Sequence, residues 1–496
     1  MVKGKKKIVV IGGGMGGLAS ASLLAKKGYD VTLCEKNHEV GGRAVVKKTN
    51  AFVFDRGPSW YMMPEFFDQF FALFGKKTSD YYDLVRLDPR YRVYSSQGTY
   101  IDYPNSYNKT RAIFQENEPN GALRFDEYMK KMKVMYEVSV RNLLQKSYES
   151  IFDLLHPSEL KSIISLISTG FMFQSLHKDV SSYIKSPELQ KTLEFHSVFL
   201  GGSPFNTPSL YGMLSYADVE KGIWYPIGGM GKLISALYSL CKEQGVTVYL
   251  DSDVTKINVE NSRVTGVVTK QKTIPADIVV SNGDYAYTEL HLLEENSRSY
   301  NKDYWNSRTW GISALLIFLG IKGKLHSVPH HSLVLDKKWE NHFEDIFTAS
   351  KWPEHPNYYV SVPSVTDNSV APQGCENLFI LVPLASGMSD SESVRSQYSD
   401  FIISHLEKTI GQKIRDRILV KEVVSQRDFE SLYHAHKGTA LGLAHTLFQS
   451  VMFRPRMKSS RVRGLYYVGQ YTQPGVGMPM VIRSAQVVSD KIEMFE

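Results

Sequence analysis

Apolar and polar positions along this chain change period in a way that marks its elements, and the first change is the most informative. Lys7 leads into the apolar run Ile8, Val9, Val10 and Ile11, which reads as a buried strand and stops at Gly12-Gly13-Gly14. From Met15 the spacing turns helical, small residues recur at Ala19, Ala21 and Ala25, and Gly28 ends the run. A second strand over 30–33 then delivers Glu35, 23 positions after Gly12. Further on, the pattern predicts a strand at 51–54 and mostly helical structure from about 111 to 217. Within that stretch Ser158 stands as the cap of a helix carrying Leu160, Ile163, Ile164, Ile167, Phe171 and Phe173. A helix over 232–243 leads to a strand at 246–250. Segments 254–259 and 263–269 read as paired strands about Glu260-Asn261-Ser262, and 276–282 as another buried strand. Helices and strands mix between 300 and 426. The end repeats the opening style, with a strand at 464–469, a loop to Gly477 and a helix over 480–494.

The opening unit has the geometry a dinucleotide asks for. Gly12 permits a tight strand-to-helix turn, Gly14 lets the main chain approach a pyrophosphate, and Gly17 lets helix and strand pack closely. The helix N-terminus, with Met15 and Gly16, offers free N–H groups and the positive end of a dipole. Glu35, followed by Lys36, stands where an acid accepts hydrogen bonds from ribose hydroxyls. A glycine-rich turn alone would be an ordinary α/β feature; strand, helix and acid in register favour the ligand.

Composition narrows the class. The 496 residues are 43% hydrophobic and 22% charged, enough for more than one domain or layer. Aromatics reach 12%, which suits a large apolar ligand surface or a large core. The net charge of +7 is modest, and Lys3, Lys5, Lys6 and Lys7 read as a solvated lead-in to the first strand. Cys34, Cys241 and Cys375 lie far apart, without disulfide or zinc spacing, so a reducing compartment is expected and no metal site. No signal peptide, no apolar run of spanning length and no basic nucleic-acid stripe is read.

Several segments together resemble the flavin-dependent amine oxidase and carotenoid desaturase superfamily, and within it the bacterial-type phytoene desaturases. The first sixty residues carry the superfamily likeness. Glu194-Phe-His-Ser-Val-Phe-Leu-Gly-Gly-Ser-Pro-Phe205, Trp224-Tyr-Pro-Ile-Gly-Gly-Met230 and Gly469-Gln-Tyr-Thr-Gln-Pro-Gly-Val-Gly-Met-Pro479 point to the carotenoid branch. The resemblance implies FAD. It places Gly42 and Arg43 near the diphosphate, Gly57 and Pro58 near the flavin ring, and the backbone of Val254 against the adenine. It aims at the ring the N-terminus of the last helix, which starts near Met478 after the loop from Gly469 through Gly477. Two departures stand out: Gln470 replaces the acid many members carry, and Gln473 stands where desaturase loops often have histidine. Gly228-Gly229-Met230-Gly231 has no βαβ unit or acid, so a second nucleotide site is not expected.

The fold implied is α/β: a discontinuous Rossmann-like FAD-binding domain (1–110, 218–290 and 427–496), an α+β substrate domain (291–426) and a helical, membrane-associating region (111–217). The activity implied is desaturation of phytoene or a related precursor by hydride transfer to flavin, with a quinone or oxygen as electron acceptor. Fully hydrating a forty-carbon hydrocarbon costs on the order of 30 kcal/mol at ~0.8 kcal/mol per CH₂. A hydrophobic polyene substrate therefore implies docking on a bilayer surface from the cytoplasmic side; the helix near Leu160 and the loop Trp60-Tyr61-Met62-Met63 each read either as lining the entrance or as facing the core. Arg56, Glu194 and His196 sit beside the motifs but read as structural, so no catalytic acid or base is assigned. His330, His331, His434 and His436 read as ordinary histidines. Competing readings are a dehydrosqualene or later-stage carotenoid desaturase, an amine or porphyrinogen oxidase, and a non-catalytic prenyl carrier of the GDP-dissociation-inhibitor type. The second wants a flavin-linked cysteine near the C-terminus, and no cysteine follows Cys375.

Overall fold

In the computed structural model, which describes residues 5–95, 98–148, 164 and 174–496, the opening apolar run is the strand Lys7–Ile11 at the centre of a five-stranded parallel sheet. Its neighbours are Asp30–Cys34 and then Thr247–Tyr249 on one side, Ile278–Ser281 and then Leu465–Tyr467 on the other. Successive residues of the central strand face opposite ways, as a pleat requires. Ile8 and Val10 pack with Leu18, Leu24, Leu237 and Val488 from the helices Met15–Lys26, Gly231–Glu243 and Met478–Phe495. Val9 and Ile11 pack with Val254, Ile257, Val264 and Val267 of a three-stranded antiparallel sheet. A parallel sheet covered on both faces needs continuous apolar strands, which explains why these strands are nearly all apolar.

The second sheet has seven strands in the order Ile418–Val424, Ser313–Lys322, Cys375–Leu384, Tyr358–Ser361, His331–Leu335, Tyr91–Ser95 and Tyr100–Tyr103. Neighbours are antiparallel except His331–Leu335 with Tyr91–Ser95. Leu315, Ile317 and Leu319 face the helix Glu392–Ile410, against Ile402, Ile403 and Leu406. The alternate residues Ala314, Leu316 and Phe318 face a larger apolar core, roofed by Tyr107–Asn117, Gly121–Val138, Leu176–Tyr183 and Pro187–Glu194.

Some boundaries differ from the sequence reading. The strands Tyr91–Ser95 and Tyr100–Tyr103 fall in the stretch read as nucleotide-binding, yet they extend the seven-stranded sheet through pairs such as Arg92 with Ser332. Long-range pairing, not local pattern, decides sheet membership. The last helix begins at Met478, where the resemblance places it and two residues before the apolar pattern does, because Gly477 at φ +117° turns the chain and Pro479 fits the first helical turn. The helix expected after Ser158, with Leu160 to Phe173, falls outside the described residues except for Ile164. Among the described residues no helix is long and apolar enough to cross a membrane.

Candidate functional site

One cavity of about 530 Å³ runs from the C-terminal ends of the parallel strands to the apolar face of the seven-stranded sheet. Gly12, Gly14, Met15, Gly16, Glu35, Lys36, Gly42, Arg43, Gly57, Pro58, Val254, Gly469, Gly477 and Met478 all line it; Gly17 does not. Gly17 acts one layer back. A Cβ there would lie 2.0 Å from the carbonyl oxygen of Gly12, so only glycine lets helix and strand meet. Gly12 itself turns at φ +92°. The helix Met15–Lys26 has no side-chain cap, which leaves its first N–H groups for whatever occupies the cavity.

Asn282, which the sequence reading missed, braces this turn. It follows the strand Ile278–Ser281, donates its N–H to Ile11 (2.8 Å) and its Nδ2 to the Gly12 carbonyl (3.3 Å). A Cβ on Gly14 would come 2.9 Å from its Nδ2, and one on Gly16 2.5 Å from its Oδ1. Its local sequence, Ser281-Asn282-Gly283, carries no signal beyond a strand end.

Glu35 closes the turn from the other side. Its carboxylate accepts the N–H of Gly13 at 2.6 Å and the N–H and Nδ2 of Asn37 at 2.9 Å each. Burial pushes its pKa upward, and these donors partly offset that. Lys36 is tied through Nζ to the Ser431 carbonyl at 2.6 Å. The second glycine turn stacks on the first, since Gly41 donates to the Gly13 carbonyl at 2.9 Å. Arg43 follows, with Nη2 on the Thr439 carbonyl (3.3 Å) and its guanidinium over the Tyr433 ring. Gly57 backs onto it so closely that a Cβ would lie 2.1 Å from the Arg43 carbonyl oxygen. Arg43 Nε and Gln470 Nε2 are buried donors without a partner among the described residues. Two orphaned donors on the wall of a glycine-lined cradle fit an anionic, hydrogen-bonding dinucleotide.

The loop after the last strand is held from behind by Arg454, which is buried. Its guanidinium donates to the carbonyls of Gln470, Tyr471, Thr472 and Gln449, and to Nε2 of His445. Gln473 clamps the backbone of Tyr148, accepting its N–H at 2.7 Å and donating to its carbonyl at 2.6 Å. That two-way bond gives this glutamine a role a histidine ring could not fill.

The far end of the cavity is apolar. Trp60 stacks on His331 (5.1 Å between ring centroids) and meets Phe199 edge-on. Leu316, Leu333, Tyr359 and Leu381 complete the wall from alternate positions of the seven-stranded sheet. His331 bonds Tyr359 Oη through Nδ1 at 2.7 Å, and burial drives its pKa well below the ordinary value. Glu194 accepts from Trp339 Nε1 (3.0 Å) and pairs with His177, while His196 lies beside Asp218 in a buried cluster with Arg90. Neither lines the cavity, and Arg56, which does, is paired with Glu422. His330 bonds Thr366, and His434 stacks on Tyr287. Among the described residues no three His, Cys, Asp or Glu side chains are grouped to hold a metal. The Gly228-Gly229-Met230-Gly231 turn spends its N–H groups internally: Asp55 accepts those of Met230 (2.9 Å) and Gly231 (3.2 Å).

The profile of flavin-containing amine oxidoreductases matches residues 15–492. A carotenoid 3,4-desaturase of Haloarcula japonica is 40% identical over 98% of this chain and 97% of its own. A zeta-carotene-forming phytoene desaturase of Myxococcus xanthus is 30% identical over 98% and 94%. Among solved structures, an oxidoreductase of Methanosarcina mazei superposes with a TM-score of 0.64 at 17% identity, covering 98% of this chain and 100% of its own. These likenesses give the fold as mixed α/β of the amine-oxidase type.

Proposed function

The chain belongs to the flavin-containing amine oxidoreductase family, and from that premise we propose that it is an FAD-dependent desaturase of phytoene or a related carotenoid precursor. The observation that carries this reading is the single cavity joining a glycine-rich, donor-lined end to an apolar end. At the first end, the backbone around Gly12, Gly14, Met15 and Gly16 and the free Nε of Arg43, with Gly42 beside it, would hold the pyrophosphate, Gly17 packing the helix onto the strand behind them. Glu35 would accept from the ribose, with Lys36 and Val254 on the adenine side. Gly57, Pro58, Gly469, Gly477 and Met478 would frame the ring system, with the N-terminus of Met478–Phe495 aimed at it. We assign the nucleotide-binding unit to 1–110 without the strands Tyr91–Ser95 and Tyr100–Tyr103, 218–290 and 427–496, and the substrate side to those two strands, 111–217 and 291–426.

When bound, FAD accepts the two electrons that leave an allylic C–C–H unit. The chain's own part is positional. Trp60, Phe199, Leu316 and Leu381 keep an extended hydrocarbon in line and keep water out. His331, stacked on Trp60 and held neutral by burial, places no charge behind that wall. No side chain is assigned as acid or base. The electrons pass on to a quinone or oxygen, and the substrate arrives from a bilayer on which the protein is peripherally seated.

A second reading is desaturation of a later-stage carotenoid, favoured because the 40% identical Haloarcula japonica relative is named a carotenoid 3,4-desaturase. Expression in bacteria that accumulate phytoene, and in others that accumulate an already conjugated polyene, separates the two. Pigment chromatography should show more unsaturated products in at least one strain; unchanged substrate in both sinks the desaturase reading.

A further inference from the structure

Beside the cavity, the chain projects two phenylalanines into solvent from a rigid support. Phe448 is 72% exposed and Phe453 49%, and their rings meet at 6.1 Å. They are carried by two short turns, Leu447–Gln449 and Val451–Phe453, that are anchored on all sides. Gln449 exchanges both bonds with the backbone of Thr309, accepting its N–H at 2.9 Å and donating to its carbonyl at 2.7 Å. Ser450 donates to the Thr446 carbonyl at 2.7 Å and accepts from Tyr211 Oη at 3.2 Å. Between the two rings Val451 sits at φ +50°, a conformation a β-branched residue adopts only when its surroundings impose it. Val451 itself lines the cavity. The knuckle is thus apolar outside, pinned beneath, and one residue thick between solvent and the cavity wall.

The flank is basic. The 299–309 loop packs along this segment: Ser299 Oγ accepts the N–H of Ser460 (3.1 Å), Tyr300 Oη that of Arg456 (3.1 Å), and Thr309 meets Gln449. Arg456 and Arg461 are exposed and Arg308 half-buried, and none of the three is ion-paired among the described residues. Asp303 is the only carboxylate on that loop. Two protruding aromatic rings on the segment that also carries the exposed Arg456 and Arg461 match the layering of an anionic membrane surface, apolar below and negative at the headgroups.

We propose that the Phe448–Phe453 knuckle seats this protein on an anionic lipid bilayer, with both rings in the acyl boundary and Arg308, Arg456 and Arg461 over the headgroups. Seating there would set the cavity wall at Val451 against the lipid, on the side from which a hydrocarbon substrate comes. The proposal rests on the polyene reading above for why a lipid surface is needed, and its test is independent of that reading.

The test is co-flotation of the full chain with vesicles of phosphatidylcholine, with and without phosphatidylglycerol. Wild-type protein should float with the anionic vesicles and less with the neutral ones. F448S/F453S should partition on the order of tenfold less. R456E/R461E should lose several-fold, most at low salt. Each variant should keep wild-type flavin content and turnover of substrate dispersed in detergent. Equal flotation of F448S/F453S and wild type overturns the proposal. So does a lipid-free dimer that this double variant disperses while flotation is unchanged, because the rings then cover a second copy. Failure of wild-type turnover in detergent counts against the desaturase reading alone, since flotation is read without substrate.

Discussion

Arg454 donates through Nη1 to Nε2 of His445 at 3.3 Å, and His445 bonds the Leu200 carbonyl through Nδ1 at 3.0 Å. The histidine is therefore the neutral tautomer with its proton on Nδ1, and burial together with the arginine's charge holds its pKa well below the ordinary value. The arginine has no carboxylate among these partners. Its charge is spread over the carbonyls of Gln449, Gln470, Tyr471 and Thr472, and burial pulls its pKa down to about 10.

This buried cation shapes the loop that lines the glycine-rich end of the cavity. Arg454→Met removes every one of those donors and leaves carbonyls unpaired. Charge-assisted bonds contribute about 1.5–3 kcal/mol each. FAD binding should weaken on the order of tenfold or more in a fluorescence titration, with partial recovery in Arg454→Lys. Wild-type affinity in Arg454→Met would mean the loop holds itself.

Arg43 is tested by two routes. Arg43→Ala deletes the donor left free on the cavity wall and should weaken FAD by roughly ten- to a hundredfold, as losing one charged hydrogen bond of about 1.5–3 kcal/mol implies. Gly57→Ala acts indirectly, because its Cβ would press at 2.1 Å on the carbonyl of Arg43, a backbone atom that cannot step aside. It should lose flavin while the fold, followed by circular dichroism, persists. Flavin content unchanged in both variants would remove Arg43 from the site.

Two adjacent buried histidines set an acid limit. His330 is held at about 3 and His331 well below the ordinary 6.5, both chiefly by burial. The unfolded chain therefore binds protons that the folded chain refuses. Stability is full above pH 6.5 and falls as pH drops toward 3, by up to about 1.4 kcal/mol per pH unit for each histidine. Denaturant midpoints measured from pH 7 to pH 4 should fall steadily, and His330→Phe should flatten the slope. A pH-independent midpoint in wild type would contradict the buried neutral state.

The apolar end is tested by placing an amide there. Leu316→Gln puts a polar group without a partner on the wall, at a cost of about 1–3 kcal/mol. Turnover of a carotenoid substrate should fall tenfold or more with flavin content unchanged. Equal loss of flavin and turnover would mean the variant damages the fold instead of the substrate path.

What the sequence made legible was local. Gly12, Gly14, Glu35 and the paired strands after Val254 were readable because strand, turn, helix and acid lie within one short unit whose spacing is dictated by backbone geometry. Gly57, Pro58 and Gly469 came from resemblance, because the pattern around them is shared by many turns. Asn282 and Arg454 were invisible: each acts on backbone atoms from distant segments, and neither has a neighbour that marks it. The same holds for the strands Tyr91–Ser95 and Tyr100–Tyr103, which the sequence analysis did not single out and which join the seven-stranded sheet through residues far along the chain. Glu194 and His196 both lie behind the cavity wall, Glu194 on Trp339 Nε1 and His196 beside Asp218.

The most direct measurement mixes FAD-loaded protein with a detergent-dispersed polyene in the absence of oxygen and quinone, following flavin absorbance and products together. The account predicts that oxidised flavin is lost in step with substrate, one new double bond appearing per flavin reduced, and that Leu316→Gln slows both. Flavin that stays oxidised with phytoene and with later-stage polyenes alike would contradict it.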